Sequence, residues 1–128
     1  MRFSVEHWGI MSENPPALAD WYKDVLGFSE LFIPEGQSTP VFIRDEKGVV
    51  IEFFPMGPDF IFPEDGVRKN QHISLSISDF DEAVSYLESR GVIFKEEPFT
   101  IFSGGRVRFF QDPEGNWIHL IYRPEMPW

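Results

Sequence analysis

The residues of this chain best suited to chemistry are its three histidines and Glu52, which form two pairs of similar spacing. His7 lies 45 residues before Glu52, and His72 lies 47 residues before His119. The chain has no cysteine, so a metal site would have to use His, Asp and Glu side chains. Imidazole and carboxylate donors suit divalent Zn, Ni, Fe, Mn or Co. We therefore predict that His7, Glu52, His72 and His119 bind one divalent metal ion per site, with the identity of the metal open.

An internal repeat places the two pairs at equivalent positions. Shifts of 64 or 65 residues lay His7 on His72, Ala19 on Ala83, Tyr22 on Tyr86 and Gly27 on Gly91. A shift of 67 lays Asp45 on Asp112, Gly48 on Gly115, Ile51 on Ile118 and Glu52 on His119. Such self-similarity is typical of duplicated supersecondary units that pack together. A lone histidine in a strand is more often a hydrogen-bonded structural residue, but histidines on repeat-related positions favour a shared site.

The first half of the chain is predicted to form a strand, a helix and three strands. Residues 3–10 carry β-type side chains, and residues 17–26 carry apolar side chains at helical spacing before Gly27. Short β-rich runs follow at 28–33, 40–44 and 48–54. Prolines and glycines between 55 and 70 indicate a linker. We divide one domain, 1–128, into a first module at 1–55, a linker at 56–70 and a second module at 71–128.

The second half repeats this order. Residues 72–77 alternate as a strand, and residues 79–90 carry a helical apolar face with Asp79 as the candidate cap and Gly91 at the end. Strands are predicted at 92–94, 105–111 and 116–122, with a tight turn at 112–115. In an alternating strand, Gly9 and Met11 share a face with His7, and Ser74 shares one with His72. These three residues are candidate substrate-binding positions.

Composition narrows the range of partners. The formal net charge of -10 disfavours binding to nucleic acid, which rests on clustered Lys and Arg. No window approaches 18 consecutive apolar residues, so we expect no membrane span and a cytoplasmic location. The apolar fraction of 42%, with 14 Phe, is enough to build a core without disulfides.

Four segments resemble the vicinal oxygen chelate superfamily, which includes glyoxalase I, methylmalonyl-CoA epimerase, fosfomycin-resistance proteins and extradiol dioxygenases. They are residues 6–10 (Glu-His-Trp-Gly-Ile), 21–28, 72–75 and 112–118, so the resemblance covers essentially the whole chain. It implies an α+β fold of two βαβββ modules, each curling its sheet into half of a barrel-like cleft. It also implies a homodimer in which His7 and Glu52 of one chain meet His72 and His119 of its partner. Val107 and Phe109 would then line the cleft.

Two departures from bacterial glyoxalase I bear on the reaction. That enzyme has glutamate where this chain has His119, and the arginine expected just after its first histidine is absent here. Lactoylglutathione lyase activity itself is therefore not expected, and Glu52 becomes the candidate catalytic base. The resemblance implies a metal-dependent lyase, isomerase or epimerase that polarises a small oxygenated substrate for proton transfer.

Two other functions within the superfamily stay open at this point. An Fe(II) extradiol-type dioxygenase would use two histidines and one glutamate, and the fourth donor here argues against it. A non-enzymatic binder of the bleomycin-resistance type would lack the metal ligands, and the four retained donors argue against that.

Overall fold

The computed structural model describes all 128 residues, in two compact units whose boundary falls between Ile61 and Phe62. Each unit contains one four-stranded sheet whose strand order is the same in both units. No helix combines the length and the apolar character that crossing a bilayer would require.

The first unit has the predicted order of strand, helix and three strands. Its elements are β1 (Trp8–Ser12), α1 (Pro15–Leu26), β2 (Ser29–Phe32), β3 (Val41–Arg44) and β4 (Val50–Pro55). The sheet order is β1-β4-β3-β2, with β1 parallel to β4 and the other pairs antiparallel. The prediction of a strand over 3–10 is wrong at its start. Pairing begins at Trp8 and Ile51, and the residues before β4 form a turn that offers residues 3–7 no partner.

Helix α1 begins and ends where its capping residues dictate. Asn14 accepts a hydrogen bond from the Ala17 amide at 3.2 Å, and Pro15 occupies the first helical turn, where no amide proton is needed. Gly27 ends the helix at a φ of 76°, a conformation that glycine adopts without strain. The buried face of the helix packs on one face of the sheet, where the Tyr22 and Phe53 rings lie 5.0 Å apart. Glu52 alternates with Phe53 and therefore lies on the other face.

The second unit repeats this arrangement after a short helix. Its elements are α2 (Asp65–Arg68), β5 (His72–Ser76), α3 (Phe80–Ser89), β6 (Phe99–Thr100), β7 (Arg106–Gln111) and β8 (Trp117–Tyr122). The sheet order is β5-β8-β7-β6, again with the first and last long strands parallel. Helix α3 begins after Asp79, which accepts a hydrogen bond from the Glu82 amide at 2.9 Å. The α+β fold of two βαβββ modules is therefore confirmed.

The predicted strand at 92–94 is wrong, because the second strand of this unit is β6. The Val92 amide closes the end of α3 by donating to the Leu87 carbonyl at 3.0 Å, so it cannot join the sheet. The edge position beside β7 is taken by Phe99, which pairs with Val107. The glycine-containing segment that follows is a turn of 3-10 helix, Phe102–Gly104, with Ser103 at a φ of 56°.

The turns that contain Asp45 and Asp112 are related by the repeat, but we expect alanine substitution of these two residues to reduce stability by different amounts. Asp112 is buried and accepts from the Glu114 and Asn116 amides and from the Asn116 side chain, at 2.8 to 3.0 Å. Asp45 accepts two amide hydrogen bonds but is more exposed. Asp112→Ala should lower the free energy of unfolding by about 2–3 kcal/mol, and Asp45→Ala by about 1 kcal/mol. Urea unfolding of both variants measures this, and equal losses would contradict it.

Candidate metal-binding pairs

The first pair joins His7, immediately before β1, to Glu52 in the middle of β4. The Nε2 atom of His7 lies 3.5 Å from Oε1 of Glu52. On the other side of the ring, Nδ1 lies 2.8 Å from Oε1 of Glu6. A carboxylate only accepts, so Nδ1 carries the proton of this hydrogen bond. In the neutral ring, Nε2 is then an acceptor facing a second acceptor, an arrangement that a bound cation would stabilise.

Strand register places Gly9 directly beside Glu52. A Cβ atom added at Gly9 would lie 3.5 Å from Oε1 of Glu52 and 3.2 Å from the Phe54 ring. A side chain here would press on the Phe54 ring and lie in contact with the carboxylate, whereas glycine leaves Glu52 accessible. The Phe42 ring meets the His7 ring edge-on at 5.6 Å and forms an apolar border to this pair.

The second pair joins His72, at the start of β5, to His119 in the middle of β8. Their ring centroids lie 4.5 Å apart. Nδ1 of His72 lies 3.0 Å from the Lys69 carbonyl oxygen, which can only accept, so Nε2 of the neutral ring keeps a free lone pair. Nδ1 of His119 is buried without a hydrogen-bond partner. The Phe109 ring contacts both imidazoles, at 5.1 and 4.9 Å.

Burial decides the protonation state of His119. Burial is the largest cause that lowers the pKa of His119 to about 4, and the neighbouring His72 and Arg123 charges contribute in the same direction. The imidazole is therefore neutral at physiological pH. A neutral imidazole is the form that can donate a lone pair to a metal ion.

The two pairs occupy equivalent places in their units. Glu52 lies opposite Gly9, and His119 lies opposite Ser74, with a histidine two residues before each of these partners. Each unit brings two of the predicted donors together. No group of three or more His, Asp or Glu donors forms within the chain. The four-ligand site therefore stays a prediction.

The predicted substrate-binding residues differ in exposure. Gly9 and Ser74 are exposed beside the two pairs, and Met11 is 36% exposed. Val107 and Phe109 lie on the histidine face of the second sheet, where they are buried together with Trp117 and Ile121 and contacted by Ile101.

Three residues at the pairs have contacts that the sequence analysis did not identify. Glu6 holds His7, and the carbonyl of Lys69 holds His72. The Lys69 ammonium lies 4.3 Å from the Phe109 ring centroid and pairs with Glu96 at 2.6 Å. Arg123, just beyond β8, is close enough to affect the charge of His119. Of these three residues, only Glu6 could have been identified from the sequence, because it adjoins His7 in the segment 6–10 that resembles the superfamily.

Comparison with known proteins identifies the family. The family model of the Glyoxalase/Bleomycin resistance protein/Dioxygenase superfamily matches residues 4–120. The uncharacterized protein YaeR of Escherichia coli (strain K12) is 29% identical over 124 residues, which cover 91% of this chain and 93% of that protein.

Solved structures show the same fold. A glyoxalase/dioxygenase from Nostoc punctiforme superposes with a TM-score of 0.73 at 23% identity, covering 95% of this chain and 92% of that one. A lactoylglutathione lyase from Agrobacterium tumefaciens superposes with a TM-score of 0.68 at 17% identity, covering 95% of each chain. The chain is a member of the Glyoxalase/Bleomycin resistance protein/Dioxygenase superfamily.

Proposed function

We propose that this protein is a metal-dependent enzyme of the lyase, isomerase or epimerase class that transfers a proton on a small oxygenated substrate. The observation that carries the proposal is the state of the histidine rings. Two of them have Nδ1 at hydrogen-bond distance from an oxygen acceptor, and the third has a buried ring nitrogen with no partner. Rings oriented in this way are typical of metal ligands, whose second nitrogen is held by a carboxylate or carbonyl.

The residues that would hold the ion are His7, Glu52, His72 and His119. A divalent ion bound there would supply Lewis-acid polarisation of a substrate carbonyl and a neighbouring oxygen. Glu6 and the Lys69 carbonyl would keep two of the rings in the orientation that their hydrogen bonds now fix. The donor chemistry of both pairs fits such an ion, since every ligand is an imidazole or a carboxylate.

Glu52 is the group we assign to proton transfer. Its side chain is 21% exposed, so it is accessible to a small molecule while most of its surface is shielded from water. The absent side chain at Gly9 leaves space beside the carboxylate. Glu52 would accept a proton from the carbon next to the substrate carbonyl and return it to a neighbouring atom.

We further propose that the site forms between two copies of the chain. Each unit contributes only two donors, whereas structural metal sites generally use four and catalytic sites at least three protein ligands. A homodimer of twofold symmetry would pair the first unit of one chain with the second unit of the other and create two equivalent sites.

Metal content of purified protein tests the proposal. Wild-type protein treated with chelator and then with Zn²⁺ should retain about one ion per chain after dialysis. His119→Ala should weaken Zn²⁺ binding at least about 10-fold, whereas Ser74→Ala, at the paired position on β5, should leave it unchanged. Retention of less than about 0.2 ion per chain by the wild type would contradict metal dependence and favour a non-enzymatic binder.

A further inference from the structure

Strand β8 and the residue that follows it carry three buried side-chain nitrogen atoms that lack a hydrogen-bond partner. They are Nε1 of Trp117, Nδ1 of His119 and Nη1 of Arg123. These residues alternate along the strand and its extension, so they share one face of the sheet. The register with β5 shows that this is the face of Ser74 and His72.

Two of these nitrogens, those of Trp117 and Arg123, call for a ligand with acceptor atoms. Leaving a buried donor without a partner is unfavourable, so most such groups in folded proteins are satisfied. The indole and guanidinium nitrogens can only donate. These two nitrogens therefore require a hydrogen-bond acceptor on this face.

The surroundings of Arg123 hold its guanidinium without using its N–H groups. The Phe102 and Trp128 rings lie 4.9 and 5.4 Å from its central carbon. Ring faces contact the flat surface of a guanidinium and leave its in-plane donors free. Phe102 is 61% exposed and Trp128 is 84% exposed, so an entering ligand can displace these rings at little cost in buried surface.

The charge of Arg123 is also not neutralised by an acidic side chain on this face. Lys69, which overlies Phe109 and Trp117, is already neutralised by Glu96. On the opposite face of the sheet, Arg106 is paired with Asp81, and Arg108 donates to the Glu96 carbonyl. One net positive charge beside His119 matches one negative charge on a ligand.

We propose that Arg123 binds a carboxylate group of the substrate, which makes the substrate a small oxygenated carboxylic acid such as a 2-oxo or 2-hydroxy acid. The planar guanidinium matches a carboxylate in shape and can donate two parallel hydrogen bonds to it. This assignment deepens the proposed function and depends on it for the reaction, but not for the binding of the acid itself.

The test compares pyruvate with methyl pyruvate, its uncharged ester, by titration calorimetry in chelator-treated protein. Wild-type protein should bind pyruvate at least about 10-fold more tightly than the ester, as expected for a charge-assisted hydrogen bond. Arg123→Met should remove this difference. Arg106→Met is the matched control, because Arg106 pairs with Tyr122 on the neighbouring strand but faces the opposite side. It should bind both compounds as the wild type does.

Each result decides the matter. The assignment would be overturned if the wild type bound acid and ester equally or showed no saturable binding of pyruvate. It would also be overturned if Arg123→Met still discriminated fully between the two compounds. If Arg123→Met unfolds, Arg123→Lys replaces it and should lose part of the discrimination, since it keeps the charge but not the planar fork. Failure of the proposed function is distinguishable, because it would appear as a lack of metal uptake while the acid still binds.

Discussion

Mixing two variants that each lack one donor pair should restore metal binding that neither variant has alone. One variant carries His7→Ala and Glu52→Ala, and the other carries His72→Ala and His119→Ala. If the site lies between two chains, a mixed dimer has one site without donors and one site with all four. Random exchange of subunits should then give about one ion for every four chains, because half of the dimers are mixed.

The measurement is the Zn²⁺ content of the mixture and the Zn²⁺ content and affinity of mixed dimers isolated with two different affinity tags, which should hold about one ion for every two chains. The matched control mixes the first variant with one that lacks all four donors, which leaves no complete site in any dimer. Each variant alone should bind Zn²⁺ at least about 100-fold more weakly than the wild type, since two ligands are lost. Mixed dimers that bind no better than either parent would contradict a site shared between chains.

Repeat-related positions could be predicted from the sequence because two independent periodicities agree. A shift of 65 matched His7 to His72, and a shift of 67 matched Glu52 to His119. Alternation along a strand placed each of His7 and His72 on the same face as its neighbour two residues on. The observed registers pair Gly9 with Glu52 and Ser74 with His119, in keeping with that expectation. Local pattern was enough because both strands of each pair alternate regularly.

Strand ends and supporting contacts could not be predicted, since they depend on which segment lies alongside. Residues 3–7 alternate like a strand but have no strand to pair with. Residues 92–94 do not pair because the Val92 amide is hydrogen-bonded to the end of α3. Lys69 lies in a stretch without periodicity, yet its carbonyl fixes His72. Arg123 has no repeat-related partner or motif, and its buried, unpaired nitrogen depends on the packing around it.

Replacing Glu52 with glutamine should slow proton abstraction from substrate by about 10²- to 10⁴-fold at saturating metal. Glutamine has nearly the same size and keeps one oxygen beside His7, but it cannot accept the proton. A suitable probe is 3-hydroxypyruvate, which carries a carboxylate, a carbonyl and a neighbouring hydroxyl. Exchange of its C3 hydrogens in deuterated water, followed by NMR, reports the proton transfer directly.

The control variant Glu6→Gln distinguishes loss of the catalytic base from an indirect effect on metal binding. Glu6 contacts the same histidine at 2.8 Å, but its side chain is 89% exposed, and glutamine can still accept the Nδ1 hydrogen bond. This variant should therefore exchange within about threefold of the wild-type rate once metal is saturating, because only an orienting contact changes. If Glu52→Gln with full metal occupancy exchanged at the wild-type rate, Glu52 would be a ligand only, and another group would have to move the proton.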